Sequence, residues 1–294
     1  MTYSIVARDP AGGALGVAVQ SCFFNVGAIV PWPAAGVGAV ATQAFADPAY
    51  GPRCLDALAA GASAAEALDK AAAADPAASL RQVGVVGADG SVAATTGAGC
   101  IDHAGHRTGD GFAVQANMMA SPSVWPAMAD AYTSATGPLP RRLLAALNAA
   151  QTAGGDARGV MSAALVVVGG TPGDGRLVDL RVDRSSDPLG ELARLLDAAD
   201  AYNRFNRASD ELPGGDAQAA LADLDAGLAI LPGDPNLQLL RTAALLARGD
   251  TDTGRQHLRS LLASHPTWEV IVRGYAARGL LPLPAGTSID ALSG

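Results

Sequence analysis

The chain has 294 residues, of which 49% are hydrophobic and 16% charged, so it carries enough apolar material for a sizeable folded core. Its 20 Lys and Arg residues against 28 Asp and Glu give a formal net charge of -8, the wrong sign for broad binding to nucleic-acid phosphates. No apolar run reaches the roughly 18 residues of a membrane-spanning helix. We therefore expect a folded protein without a nucleic-acid or membrane partner.

Lysine and cysteine usage removes further function classes. Lys70 is the only lysine and lies in a polar-flanked helical stretch, so a phosphate-binding loop and a Schiff-base site both lack their lysine. The three cysteines do not have the spacing of a disulfide framework, and no leader pattern of positive charge and apolar residues is present. We expect a cytoplasmic protein.

Apolar runs separated by turns predict eight strands, over residues 3–8, 14–20, 36–43, 82–86, 92–96, 112–119, 162–168 and 177–182. Helical periodicity with capping signals predicts two pairs of helices, over residues 50–60, 63–74, 121–133 and 139–153. Strands joined as hairpins form antiparallel sheets, and paired helices can only cover the outer faces of those sheets. The order therefore predicts an α+β fold, a four-layer α/β/β/α sandwich, over residues 1–186.

The composition changes after residue 186, where strand patterns give way to Leu- and Ala-rich helical segments. A 34-residue repeat is present there, in the pairs Gly215 and Gly249, Leu224 and Leu258, and Pro232 and Pro266. Thirty-four residues is the tetratricopeptide period, in which stacked helix pairs bury a shared apolar face. We therefore predict an all-α, tetratricopeptide-like domain over residues 187–294, stacked as helix pairs from about residue 188 to residue 281.

Two motifs suggest a cofactor or a metal site, but each lacks the neighbouring sequence features that such a site needs. Residues 36–41 match the Gly-x-Gly-x-x-Ala dinucleotide pattern, but no helix opens there and no acidic residue follows a second strand. Cys100, His103 and His106 place metal-ligating side chains close together, but the chain has no second ligand cluster to close a tetrahedral site. We predict no cofactor and no metal.

The start of the sequence carries the strongest chemical signal. Met1 precedes a small residue, Thr2, so removal of the initiator methionine would leave Thr2 with a free α-amine beside its own hydroxyl. The two groups form a nucleophile with a built-in base, because an α-amine has an unperturbed pKa of about 8 and is partly neutral at cytoplasmic pH. We predict Thr2 as a catalytic nucleophile.

Four blocks of sequence resemble a known family: residues 2–10 (TYSIVARDP), 15–21 (LGVAVQS), 36–43 (GVGAVATQ) and 111–119 (GFAVQANMM). They are similar to the bacterial family catalogued as domain of unknown function 1028. The resemblance implies an N-terminal-nucleophile (Ntn) hydrolase fold, with a helical tail that longer members carry and that is described as peptidoglycan-binding. The chain departs from the family pattern at Met161, where a glutamine is expected, and we assign no role to that position.

These arguments predict an Ntn-type amidohydrolase acting on a small amide or ureide. Polar residues that interrupt apolar strands are the candidates to support Thr2, with Asn117 as first choice for the oxyanion donor because an amide cannot titrate away. The predicted catalytic set is Thr2, Asn117, Ser4, Ser21 and Gln43. The predicted substrate-binding set is Gln20, Thr42, Arg8 and Arg53, in which an arginine would hold a substrate carboxylate.

Two expectations concern partners. The apolar segment that contains Phe23, Phe24, Val26, Ile29, Val30, Pro31 and Trp32 predicts a homo-oligomer. The helical repeat predicts a protein partner, either basic in character, because the tail has an acidic excess, or a further subunit. The alternative hypothesis is a non-catalytic binding or scaffold protein that uses this tail, and cell-wall binding through the tail is a third possibility.

Overall fold

The computed structural model of the chain describes residues 2–282. Ten strands lie in this range: β1 (Thr2–Arg8), β2 (Leu15–Ser21), β3 (Pro31–Ala34), β4 (Gly38–Ala44), β5 (Arg81–Gly87), β6 (Val92–Thr96), β7 (Gly105–Gly109), β8 (Phe112–Asn117), β9 (Ser162–Val168) and β10 (Arg176–Val182). The α-helices of the same range are α1 (Tyr50–Ala59), α2 (Ala64–Ala73), α3 (Val124–Ser134), α4 (Leu139–Thr152), α5 (Pro188–Glu211), α6 (Ala217–Ile230), α7 (Pro235–Ala247), α8 (Thr251–Ser264) and α9 (Glu269–Ala277).

The strands form two antiparallel sheets, as the hairpin pattern predicts. The larger sheet has the order β10-β9-β2-β1-β8-β7 and the smaller has the order β3-β4-β5-β6. β1 is therefore a central strand, with β2 on one side and β8 on the other. Its near-continuous apolar sequence is explained by this position, because a central strand in a sandwich is covered on both faces.

Helices cover the outer face of each sheet and complete four layers. On the smaller sheet, Val40, Val83 and Val85 form one buried cluster with residues of α1 and α2. On the larger sheet, α3 and α4 pack against the strands, and Gly16 of β2 leaves room for Leu143 of α4. The predicted α+β sandwich of α/β/β/α type is confirmed.

Two strands have no apolar run and were not predicted. β3 contains two prolines and β7 reads Gly-His-Arg-Thr-Gly, and each lies at the edge of its sheet, where a missing ladder donor or a polar side chain is tolerated.

Most of the apolar segment that predicts a homo-oligomer, residues 23–32, is covered within the sandwich. Val26 and Val30 are buried between the sheets, and Trp32 packs against α1, so only Phe23 and Phe24 of that segment are exposed large apolar side chains.

The chain divides into two compact units between Leu195 and Leu196, within α5, rather than at the predicted residue 186. In the second unit the 34-residue repeat appears as equivalent helix starts. Asp216 caps α6 by accepting a hydrogen bond from Ala219 N, and Asp250 caps α8 by accepting one from Thr253 N. The predicted helix pairs are thus confirmed, with Leu224 and Leu258 buried at matching positions.

Within residues 2–282, no helix is both long enough and apolar enough to cross a membrane.

Candidate active site

The space between the two sheets is apolar at one end and polar at the other. The apolar end contains Val6, Leu15, Val17, Ala39 and Val86, among other buried residues. At the end where β1 begins, seven buried polar side chains meet; we call them the inter-sheet network. Its members are Thr2, Ser4, Ser21, Gln43, Gln82, Gln115 and Asn117. Burial of so many polar groups is costly unless they are hydrogen-bonded, so this cluster is a built feature of the fold.

Thr2 is held at the edge of the network and is only 6% exposed. Its Oγ1 donates to Ser21 Oγ at 3.1 Å, and its carbonyl oxygen accepts from Gln43 Nε2 at 3.1 Å and from Asn117 Nδ2 at 3.4 Å. The strand register places Ser21 and Asn117 on either side of Thr2. Both the hydroxyl and the backbone of the first residue of β1 are therefore fixed by side chains.

Gln82 is the hub of the network. Its Nε2 donates to Ala116 O at 2.9 Å, to Gly105 O at 3.2 Å and to Thr96 Oγ1 at 2.8 Å, while its Oε1 accepts from Gln43 Nε2 and Asn117 Nδ2, both at 2.8 Å. The two backbone carbonyls can only accept, so they fix which end of the Gln82 amide faces them. The orientations of the Gln43 and Asn117 amides follow from that of Gln82.

Ser4 and Gln115 extend the network toward the apolar end. Gln115 Nε2 donates to Ser4 Oγ, and Ser4 Oγ donates to Gln43 Oε1, each at 2.6 Å. Gly84 lies opposite the Gln115 side chain, and a Cβ at that position would collide with the Gln115 amide. The glycine is therefore required for the close approach of a buried amide, not for a turn.

The inter-sheet network contains hydroxyls and amides and no ionisable side chain. It therefore offers Thr2 hydrogen bonds but no side-chain base. Two acceptor atoms in it, Asn117 Oδ1 and Gln115 Oε1, are buried and have no hydrogen-bond partner among the described residues. Both N–H groups of Asn117 already point at acceptors. The N–H that makes the longer contact, 3.4 Å to the Thr2 carbonyl, is the one that could turn to donate to another oxygen.

The structure brings together the five predicted catalytic residues and separates Arg8, Thr42 and Gln20 from them. Arg8 lies at the far end of β1, about 20 Å from Thr2 at 3.3 Å per residue, and its Nε donates to Ala88 O. Arg8 is therefore too distant to hold a substrate at Thr2. Arg53 lies on α1 with its side chain 44% exposed, and it pairs with Asp47 at 3.7 Å.

Thr42 and Gln20 face the helix layers because strand side chains alternate between faces. Thr42 Oγ1 donates to Asp47 O at 3.2 Å, whereas the adjacent Gln43 points into the network. Gln20 lies on the same face of β2 as Gly16, which packs on α4, and neither atom of its buried amide has a partner among the described residues. Both residues therefore lie on the opposite face of their sheets from the Thr2 hydroxyl.

Sequence reasoning missed Gln82 and Gln115. Both interrupt apolar strands, and Gln115 is two residues before Asn117, so it shares a face with it. The criterion that selected Gln43 also applies to both. Spacing along β8 puts Gln115 on the face of Asn117, whereas only the pairing of β4 with β5 places Gln82 opposite Gln43.

The short Cys/His motif that suggested a metal has other partners. Cys100 Sγ contacts Arg81 O at 3.4 Å, and His106 Nδ1 lies 2.9 Å from Thr96 Oγ1. Burial raises the pKa of the Cys100 thiol and lowers that of His106, and both shifts favour the neutral form. No group of three His, Cys, Asp or Glu side chains suited to a metal is found in the part of the chain that the structure describes.

The chain is thus an α/β/β/α sandwich protein with a buried polar site at the start of its first strand. Residues 2–192 match a family of unknown function, DUF1028, and the chain belongs to that family. It is similar to the crystal structure of protein SPO2555 from Silicibacter pomeroyi, of the same family. That similarity has 33% sequence identity and a TM-score of 0.62, over 66% of this chain and 84% of the other. No curated protein matches the chain.

Proposed function

We propose that this protein is an Ntn-type amidohydrolase that cleaves the C–N bond of a small amide or ureide, with Thr2 as nucleophile after loss of Met1. The observation that carries the proposal is the inter-sheet network, which holds the Thr2 hydroxyl and carbonyl while offering no side-chain base. The α-amine of Thr2 is then the nearest base by covalent structure, and its unperturbed pKa near 8 suits that task.

The reaction proceeds in two halves. Thr2 Oγ1 bonds to the substrate carbonyl carbon while its proton passes to the α-amine, directly or through one water. The tetrahedral intermediate collapses as the C–N bond breaks, and the leaving nitrogen takes the proton back from the α-ammonium. Water then attacks the Thr2 ester by the same route in reverse, releasing the acid and restoring the hydroxyl.

Asn117 is assigned to the oxyanion of the substrate, and Ser21 is assigned to the attacking hydroxyl of Thr2. The Asn117 N–H that points at the Thr2 carbonyl is the more weakly engaged of its two, and we assign that N–H to the oxyanion, together with a backbone N–H. Ser21 Oγ accepts a hydrogen bond from the Thr2 hydroxyl at 3.1 Å and so orients the nucleophile before the proton passes to the α-amine.

Gln43 and Ser4 are positioning residues in this proposal. Gln43 Nε2 holds the Thr2 carbonyl, and Ser4 Oγ holds Gln43 Oε1. Thr2 is only 6% exposed, which disfavours a folded protein as the substrate. No cofactor or metal takes part.

The experiment is a turnover screen of an amide and ureide library with the native protein and three variants. Thr2→Ala is expected to abolish turnover and Thr2→Ser to retain part of it, with circular dichroism unchanged in both. A form that keeps one residue before Thr2 is expected to be inactive, because its α-amine is an amide. Equal rates for wild type and Thr2→Ala would show that the nucleophile lies elsewhere.

A second function, ligand binding by the helical unit, is favoured by one observation. A cavity of about 480 Å³ lies within that unit, lined mainly by apolar side chains that include Phe205, Leu239, Leu240, Tyr275 and Leu280. The unit would then bind an apolar segment of a protein partner, as its helix repeat predicts. An isolated unit that binds neither peptides nor proteins, measured by calorimetry against a peptide library, would remove this proposal.

We also propose a homo-oligomer and a cytoplasmic location. Phe23 and Phe24, 53% and 59% exposed, are the parts of the predicted interface that remain at the surface. Light scattering that gives a mass near 29 kDa at micromolar concentration would exclude the oligomer.

A further inference from the structure

The amino end of β1 lies between the ends of two strands. β1 is flanked by β2 and β8, and the register pairs Thr2 with Ser21 on one side and with Asn117 on the other. Cys22 and Met118 are the next residues along the two flanking segments. The Thr2 nitrogen is the first atom of β1, so it lies at the gap between these two segments.

Residues 156 and 157 cross this gap from one flanking strand to the other. Asp156 Oδ2 accepts a hydrogen bond from Cys22 N at 3.0 Å, and Ala157 N donates to Met118 O at 3.2 Å. Asp156 also forms an antiparallel bridge with Met119. The Asp156 carboxylate therefore lies at the end of the sheet beside the start of β1.

The charge of Asp156 is buried and is compensated by the guanidinium of Arg158. Its side chain is 0% exposed, and it accepts from the backbone N of Arg158 at 2.9 Å, from Arg158 Nε at 3.3 Å and from Arg158 Nη2 at 3.2 Å. A buried carboxylate is retained only when it is paired and hydrogen-bonded. Arg158 is 37% exposed, so the ion pair runs from the sheet end toward solvent.

The field of this carboxylate acts on its neighbours. Burial is the main cause of the raised pKa of Tyr3, the residue after Thr2, and the negative charge of Asp156 is the second. The proposed mechanism uses none of these three groups.

We propose that the ion pair of Asp156 and Arg158 positions the Thr2 α-amine and sets its protonation, an inference that rests on the proposed function. Asp156 accepts an N–H of the amine and directs its lone pair toward the Thr2 hydroxyl. Arg158 offsets the carboxylate charge, so that the amine is not held as an ammonium. Both are positioning residues, because neither touches the reacting carbonyl.

The expected direction of each perturbation follows from charge alone. A carboxylate stabilises an adjacent ammonium and raises the pKa of the amine, whereas a guanidinium lowers it. The other titratable groups on the segments that meet at this end are the Tyr3 phenol, the Cys22 thiol, and the side chains of Asp102 and His103. The substitutions below leave all four unchanged.

The test measures the pKa of the Thr2 α-amine by competitive acetylation across pH, with mass spectrometry of the N-terminal peptide of the full-length protein. Asp156→Asn is expected to lower this pKa by about 1 unit or more, and Arg158→Gln to raise it by a similar amount. Asp223→Asn is the matched control, since it breaks an Asp–Arg pair in the helical unit and should leave the pKa unchanged. The acidic limb of the pH–rate profile should move with the amine in each variant.

The outcomes separate this inference from the proposed function. An N-terminal peptide that retains Met1 would overturn both. A free Thr2 whose amine pKa is the same in all three variants and in wild type would overturn the role of the ion pair and leave the nucleophile intact. Should Asp156→Asn lower the melting temperature strongly, Arg158→Gln still decides the matter, because a merely structural pair predicts no rise in the pKa of the amine.

Discussion

Replacing Gln82 by Met tests whether the inter-sheet network behaves as one hydrogen-bonded unit. Methionine has a similar volume, so the change removes the amide without opening a cavity. Gln43 Nε2 and Asn117 Nδ2 each lose an acceptor at 2.8 Å. A buried N–H that loses its partner costs about 1–3 kcal/mol. Each of the two N–H groups retains a longer contact to the Thr2 carbonyl, so we expect the lower part of the summed range. The free energy of unfolding should fall by about 2–4 kcal/mol. This is a large share of the roughly 5–15 kcal/mol that stabilises a typical domain.

The assay is urea unfolding followed by tryptophan fluorescence. The chain has three tryptophans; Trp268 lies in the helical unit, so a Trp268→Phe background leaves Trp32 and Trp125 to report on the sandwich. Gln151→Met is the matched control, because Gln151 is exposed and accepts one hydrogen bond, from Tyr3 Oη; about 1 kcal/mol is expected. A loss in Gln82→Met no larger than the roughly 1 kcal/mol expected for the control would refute the orientation of the other two amides by Gln82.

Three further predictions follow from the site and from its surroundings. Asn117→Ala is expected to reduce turnover about 100-fold to 1,000-fold, the usual loss of one oxyanion donor, and an unchanged kcat would exclude that role. The hydrogen bond from Arg81 lowers the pKa of Asp75 to about 2, so this pair stabilises the fold above pH 4 and loses its effect as pH falls toward 2. The melting temperature of Asp75→Asn should therefore depend less on pH in that window than that of the wild type. An unchanged pH dependence would contradict this. Turnover should survive EDTA, and stoichiometric zinc in metal analysis of untagged protein would reverse that expectation.

The sequence predicts the central strands and the paired helices well because burial leaves a clear pattern there. β1 and β2 are covered on both faces and read as apolar runs, and α2 begins with a capping box between Ser63 and Glu66. The edge strands β3 and β7 were missed because edge positions accept proline, glycine and polar residues. Apolar periodicity reports burial, so it cannot detect a strand that is barely buried.

The site was predicted in part, for a related reason. Polar residues within apolar strands identified Ser4, Gln43 and Asn117, but this criterion does not tell which face of the strand a residue occupies. Thr42 and Gln20 satisfy it and point toward the helices. Only the register of β1 with its neighbours, set by tertiary pairing, fixes which side chains meet at Thr2.

A nucleophilic Thr2 with a free α-amine can be detected by its reaction with an electrophile. We would treat the native protein with a reactive β-lactone and map the product by peptide mass spectrometry. We expect a chain that begins at Thr2, a single ester on the Thr2 hydroxyl, and no ester in the Thr2→Ala protein. A chain that retains Met1, or an adduct on another residue that persists in Thr2→Ala, would contradict it.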